Sequence, residues 1–102
     1  MIPAGVRVFV CTQPVDMRRS FDGLAVLARQ RLGQEPQSGA LFCFVNKRSN
    51  RLKVLWWDRN GYCVLSKRLH QAVFVVPGRG GEAVGVQVDG RALAALVAGV
   101  SR

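Results

Sequence analysis

Residues 50–69 read "NRLKVLWWDRNGYCVLSKRL". Apolar and polar residues alternate on both sides of Asn60-Gly61, and β-branched and aromatic residues fill the flanks, which predicts two strands joined by a tight turn. Asn-Gly suits a type I′ turn because both central residues need positive φ. With these two as the turn residues, Arg59 pairs with Tyr62, Trp57 faces Val64, Trp56 faces Leu65 and Lys53 faces Arg68. Successive side chains point to opposite sides of a strand, so the adjacent tryptophans must separate. Trp56 falls with Leu52, Leu65 and Leu69 on an apolar face and is expected in the core. Trp57 falls with Arg51, Lys53, Arg59 and Arg68.

That second face raises a chemical question. Like charges directly opposite each other in an antiparallel pair cost up to ~1 kcal/mol. A three-residue loop sets Lys53 against Lys67 instead, so the conflict survives the commonest change of register. Two solvated side chains splaying apart is the simplest resolution. A bound polyanion is another, with the charges on a phosphate backbone and Trp57 packed on sugar or base. A protein interface anchored by Trp57 is the third.

Outward from the hairpin, the chain reads as one α+β domain over residues 1–102. "VRVFVC" (Val6–Cys11) alternates with β-branched residues and predicts a first strand. "SFDGLAVLARQRLG" places Phe21, Leu24, Ala25, Ala28 and Leu32 at helical spacing, with Ser20 or Asp16 suited to cap its start and Gly33 its end. "LFCFVN" (Leu41–Asn46) and "RLKVLWWD" (Arg51–Asp58) read as strands, and "YCVLSKRL" returns from the hairpin. "AVFVVP" and "AVGVQV" add further extended pieces around "GRGG", which reads as a flexible connection. Asp89 then caps a closing helix, "GRALAALVAGV". Strands in series with helices near both ends predict a mostly antiparallel sheet of about five or six strands, one helix after the first strand and one C-terminal helix.

Composition narrows the function. Of 102 residues, 49% are hydrophobic, enough for a core and too many for disorder. Fifteen Lys+Arg against six Asp+Glu give a net charge of +9, which makes a polyanion the natural partner. No stretch approaches the ~20 apolar residues of a membrane span. "MIPAGVRVFVCTQPVD" lacks a basic segment ahead of its apolar part and reads as a strand rather than a signal peptide. Cys11, Cys43 and Cys63 are odd in number and widely spaced, which predicts small buried hydrophobes in a reducing cytoplasm, not a disulfide framework or zinc site.

Catalytic chemistry is not evident. His70 is the only histidine, and Asp16, Asp22, Glu35, Asp58, Glu82 and Asp89 show no spacing that gathers three carboxylates for metal-ion catalysis. "GRGG" lacks the pattern of a phosphate-binding loop, and no serine has a paired base. The expectation is a protein without cofactor or metal and without enzymatic activity. What remains is basic clusters. Arg18 and Arg19 sit near a helix start, where an anion is favoured, although salt bridges to Asp16 and Asp22 are the simpler explanation. Lys47 and Arg48 occupy a turn. The candidate phosphate contacts are therefore Arg18, Arg19, Lys47, Arg48, Arg51, Lys53, Arg59, Lys67 and Arg68, with Trp57 as a stacking or packing anchor.

Two long stretches, "DMRRSFDGL" (Asp16–Leu24) and "KVLWWDRNGYCVLSKRL" (Lys53–Leu69), in this order and separation, resemble the TnpB-type, or second-open-reading-frame, accessory proteins of the insertion-sequence-sixty-six transposons. The resemblance runs from about Val6 to Val100. His70 stands where an acidic residue is common in that family, and Val76 where an aromatic commonly precedes the proline. The resemblance implies a helper in DNA transposition, with strand cleavage and joining done by a separate transposase. The expected partner is DNA, bound with weak sequence preference because nothing resembles a major-groove recognition helix. The alternative is docking on the transposase without direct DNA contact, with Trp57 as a buried hot spot. An RNA-binding role is a third reading.

Overall fold

A computed structural model of the chain describes residues 5–101. Met1–Ala4, part of the segment read above as a strand start rather than a leader, lie outside the described residues. The elements are β1 (Val8–Cys11), α1 (Phe21–Gln30), β2 (Leu41–Val45), β3 (Arg51–Asp58), β4 (Gly61–Arg68), β5 (Ala72–Val73), β6 (Gly85–Val88), α2 (Gly90–Ala98) and β7 (Val100–Ser101). Five strands form one sheet in the order β4-β3-β2-β1-β6, and β5 and β7 form a two-stranded ribbon. The domain is α+β, as expected.

One pair is parallel. β1 and β2 run together with Val8 opposite Leu41 and Val10 opposite Cys43, because α1 and the segment that follows it return the chain to the end where β1 starts before β2 begins. The other main-sheet pairs, β2–β3, β3–β4 and β1–β6, are antiparallel. Both faces of the sheet are covered. Leu24, Ala25, Leu27 and Ala28 of α1 pack with Cys11, Phe42, Phe44 and Leu55. Leu93 and Leu96 of α2 pack on the other face with Val8, Val10, Cys43, Val45, Leu52 and Val54. Central strands buried on two sides need apolar residues at every position, which is why "VFVC" and "LFCFV" read as nearly unbroken apolar runs.

The helices end as their sequences suggest, with one exception. Asp89 caps α2 by accepting from the Ala92 N–H at 2.8 Å. Gly33 takes φ +63 past the end of α1, and its N–H donates to Arg29 O at 3.1 Å. At the start of α1, Ser20 holds the N-cap position but makes no side-chain cap bond. Gly23, awkward in a helix, leaves space for a neighbour: a Cβ there would stand 3.3 Å from the Arg19 Cβ.

The hairpin differs from the expected register. Its two loop residues are Arg59 and Asn60, with Asp58 opposite Gly61, Trp57 opposite Tyr62, Trp56 opposite Cys63, Lys53 opposite Ser66 and Arg51 opposite Arg68. Arg59, not Gly61, supplies positive φ at the turn, +54°. β4 is thus shifted by two residues from the Asn60-Gly61 pairing. A two-residue shift leaves every side chain on its expected face, so the alternation of burial cannot tell the registers apart. The observed one sets Trp57 edge-on to Tyr62, ring centroids 5.0 Å apart, a geometry aromatic pairs favour. Trp56 packs against the α2 core, half-buried. Leu65, expected on the same covered face, is exposed because β4 is an edge strand.

Two loops are more ordered than their sequences suggest. "AVFVVP" forms a strand only at Ala72–Val73, which pairs with β7, while Phe74 and Val76 sink into the α2 core. "GRGG" is not a free connection. Arg79 extends from it across the sheet end, donating from Nε to Thr12 O at 3.2 Å and from Nη2 to Val45 O at 3.2 Å. Its Nη1 reaches Asn46 O at 2.9 Å and Ser49 Oγ at 3.1 Å. One guanidinium holds three segments.

Candidate nucleic-acid interface

The basic clusters converge at the end of the sheet where β1 and β2 finish, β3 begins and β4 stops. Between β1 and α1, Val15 is buried under α1, and its N–H donates to Val45 O at 3.0 Å, which pins residues 12–19 beside the end of β2. Asp16 organises the next residues. Its Oδ1 accepts from the Arg18 N–H at 2.9 Å, and the Arg18 guanidinium donates to both carboxylate oxygens, the shortest contact being Nη2 to Oδ2 at 2.6 Å. The side-chain bond from Arg18, followed by its backbone N–H, holds the Asp16 carboxyl down at about 2. The same bond raises the Arg18 pKa. The pair is solvated, Arg18 being 92% exposed, so it adds little stability and leaves the far side of the guanidinium open.

Between β2 and β3, Asn46 shapes the turn. Its Oδ1 accepts from the N–H groups of Asn50 and Arg51, both at 3.0 Å, and its Nδ2 donates to Asn50 Oδ1 at 2.7 Å. Asparagine is favoured in such turns because its amide substitutes for backbone partners. Ser49 completes the reversal with φ +57. Lys47 and Arg48 are left at the tip, exposed. A shallow depression of about 330 Å³ separates this tip from Pro14–Met17. On its other side Arg48 borders a second depression of the same volume, lined by Asn50, Leu69, Gln71 and Ala72.

The sheet adds two arginines. Arg51 and Arg68 are cross-strand partners, so the like-charge conflict foreseen at Lys53–Arg68 exists one row further along. Among the described residues the ion pairs are Arg18–Asp16 and Arg29–Glu35, and neither relieves it. Lys53 lies between this pair and α1, and its Nζ donates to Arg19 O at 2.7 Å, tying the entry of α1 to β3. Arg18, Arg19, Lys47, Arg48, Arg51, Lys53 and Arg68 thus share one end of the molecule.

The other three candidates lie elsewhere. Trp57 is six residues from Arg51, roughly 20 Å along an extended strand. α1 covers the sheet between them, where Leu55 is buried and Tyr62 and Val64 pack beneath the helix. The expected platform of charges around Trp57 is therefore replaced by a cationic rim, with the indole at the far end. Arg59 sits at the hairpin tip, also at the far end. Lys67 points to the α2 face, where its Nζ donates to Val97 O at 2.7 Å near the C-terminal end of α2, a position that favours a cation.

Arg79 is the functional-end residue that sequence reading missed. Nothing local marks it, because its acceptors come from segments 33 and 67 residues away. Burial lowers its pKa. The cysteines are free; Cys11 and Cys43 are buried and Cys63 is half-buried. Burial pushes the Cys43 thiol up to about 12, with Cys11 adding to the shift. No helix among the described residues is long and apolar enough to cross a membrane.

Fold and rim together define a small basic α+β domain with seven of its fifteen Lys and Arg residues at one sheet end. Residues 6–102 match the family described as IS66 Orf2 like protein, and the chain belongs to that family. It is thus a transposition-associated accessory protein of an insertion-sequence element. Two relatives come from Sinorhizobium fredii (strain NBRC 101917 / NGR234). The uncharacterized protein y4jC is 40% identical over 73 residues, 72% of this chain and 62% of that protein. The uncharacterized protein y4hO is 39% identical over 88 residues, 84% of this chain and 76% of that protein. No solved structure matches.

Proposed function

We propose that this protein is a non-catalytic accessory factor that binds DNA through the cationic rim and so helps assemble the transposition complex in the cytoplasm. The observation that carries the reading is the Arg51–Arg68 pair: two arginines set opposite each other across neighbouring strands, with Lys47 and Arg48 on the adjoining turn and no carboxylate among the described residues paired to any of them. Such an arrangement costs stability in isolation and gains it when a phosphate backbone arrives. The rim consists of loops and strand ends, not a helix shaped for the major groove, which supports contacts to phosphate with weak sequence preference.

The test compares two sets of neutralised charges on a labelled duplex. Lys47→Gln/Arg48→Gln/Arg51→Gln removes three charges from the rim, and Arg59→Gln/Arg91→Gln removes two from the opposite end, where the hairpin turns and α2 begins. The rim variant should bind much more weakly and lose about 2 to 3 from its log–log salt slope, while the control stays near the parent. Equal weakening by both sets would mean that net charge alone, not the rim, attracts DNA. A second reading, docking on the transposase, is favoured by the half-exposed Trp57–Tyr62 pair at the far end. If Trp57→Ala loses a co-purifying transposase while rim variants retain DNA, that reading prevails.

A further inference from the structure

β4 is an edge strand of unusual openness. Its inner side pairs along eight consecutive residues with β3, without a bulge, and no strand lies on its outer side. Residues 61–66, "GYCVLS", carry no charge and no proline, and Leu65 at the middle is 44% exposed. Soluble proteins commonly protect such an edge with a bulge, a proline or an inward charge. β6, the other edge, is only four residues long. We propose that the outer edge of β4 pairs antiparallel with β4 of a second copy of this chain, about a two-fold axis at Leu65, joining two five-stranded sheets into one.

The register follows from geometry. Asp58–Gly61 closes a two-residue loop and is a hydrogen-bonded pair, so hydrogen-bonded and open pairs alternate from there along the hairpin. The N–H and C=O groups of Tyr62, Val64, Ser66 and Arg68 therefore point outward. A two-fold axis perpendicular to the sheet keeps each face continuous across the junction and makes one residue face itself, Val64 or Leu65 when the strands overlap about their middle. With Leu65 on the axis, Tyr62 pairs with Arg68 of the copy and Val64 with Ser66, so all four outward residues find strand partners. With Val64 on the axis, Arg68 falls opposite Asn60, which belongs to the turn.

Side chains favour the same register. β4 is polar in the sense that its aromatic residue, Tyr62, lies at one end and its cations, Lys67 and Arg68, at the other. Antiparallel self-pairing brings unlike ends together. On the α1 face, Arg68 lands beside Tyr62 of the copy, whose ring already stands edge-on to Trp57. A guanidinium over such rings is an attractive contact. On the α2 face, Leu65 meets Leu65, and Lys67 lies beside Cys63. No like charges are set opposite each other. The pairing also gives Arg68 a direction away from Arg51, and it supplies a reason for aromatic rings in a basic hairpin that does not depend on DNA.

The experiment uses the full chain without DNA. Interfaces of this small class bury less than about 1,200 Å², so self-association should be weak and is followed by analytical ultracentrifugation up to about 1 mM protein. The parent should move from monomer toward dimer mass as concentration rises, and Leu65→Lys should remain a monomer, because a lysine on the axis faces its own copy. Leu65→Cys gives an independent readout that tolerates a weak dimer. Opposed residues in an open pair lie about 4.5 Å apart at Cα, within disulfide reach. Mild oxidant should cross-link this variant to dimer, while Val75→Cys, at a position 63% exposed and away from the edge, should not cross-link at the same concentration. A parent that stays monomeric throughout the range, a dimer that survives Leu65→Lys, or equal cross-linking at both cysteines would each overturn the proposal. The DNA reading stands or falls separately, since its rim variants leave β4 untouched.

Discussion

Removing the Arg79 side chain offers the sharpest test of how the rim is built. Arg79→Met keeps much of the stem and deletes the guanidinium, whose bonds reach Thr12 O, Val45 O, Asn46 O and Ser49 Oγ. Hydrogen bonds from a charged donor are worth about 1.5–3 kcal/mol each when their acceptors stay dry. Arg79 is only half-buried, so water replaces part of the loss, and about 0.5–1 kcal/mol per bond is the better figure. Four bonds then amount to about 2–4 kcal/mol. For a domain of this length, at ~5 °C per kcal/mol, Tm should fall about 10–20 °C. A total stability on the order of 5–15 kcal/mol leaves the variant folded at room temperature. Arg79→Lys keeps the charge but cannot fork to three segments, so it should recover no more than about half of the loss. Urea unfolding of the three proteins measures this directly. A midpoint for Arg79→Met that corresponds to less than ~0.5 kcal/mol of destabilisation would refute the staple.

Other outcomes follow from the local chemistry. The Asp16 carboxyl should titrate near 2 by NMR, and Arg18→Gln should return it toward its ordinary value of 3.8. Because its folded pKa is depressed, the contribution of this group, small because the pair is solvated, is fully present and constant around neutral pH and is lost only as pH falls from 3.8 through about 2. Native protein treated with iodoacetamide at mildly alkaline pH should be labelled at half-buried Cys63 and spared at Cys11 and Cys43, with Cys43 held at about 12 by burial. All three should react once the chain is unfolded. Labelling of Cys43 as fast as Cys63 in the folded protein would contradict the packed core.

Several features were legible because they depend on neighbours in sequence. The alternation of "RLKVLWWD" gave β3 with its observed bounds, and Asp89 announced α2 through a cap that needs only the next three residues. The hairpin was legible as a hairpin, yet its register was not. Asn-Gly favours one turn, but the Trp57–Tyr62 contact belongs to another, and both keep the same faces. "AVFVVP" reads as a strand because it is β-branched and apolar, whereas most of it serves as a buried crossing over the α2 core.

The rim itself was legible only as scattered clusters. Pro14–Met17 and Asn46–Arg48 are some thirty residues apart, and their meeting around one depression depends on β2 lying between β1 and β3. The covered middle of the Trp57 face was invisible for the same reason: it is α1, packed from a distant part of the chain, that divides the indole from the arginines. Arg79 could not be found by pattern, since a lone arginine between glycines looks like solvent-exposed linker. Three of its four partners are backbone carbonyls that only the folded sheet end brings within reach.

The salt dependence of duplex binding tests the central claim most directly. If about five rim cations neutralise phosphates, affinity measured by fluorescence anisotropy should fall linearly in log–log form with a slope of roughly −4 to −5. Binding that is unchanged between low and physiological salt, or absent at low salt, would contradict a cationic rim made to receive DNA.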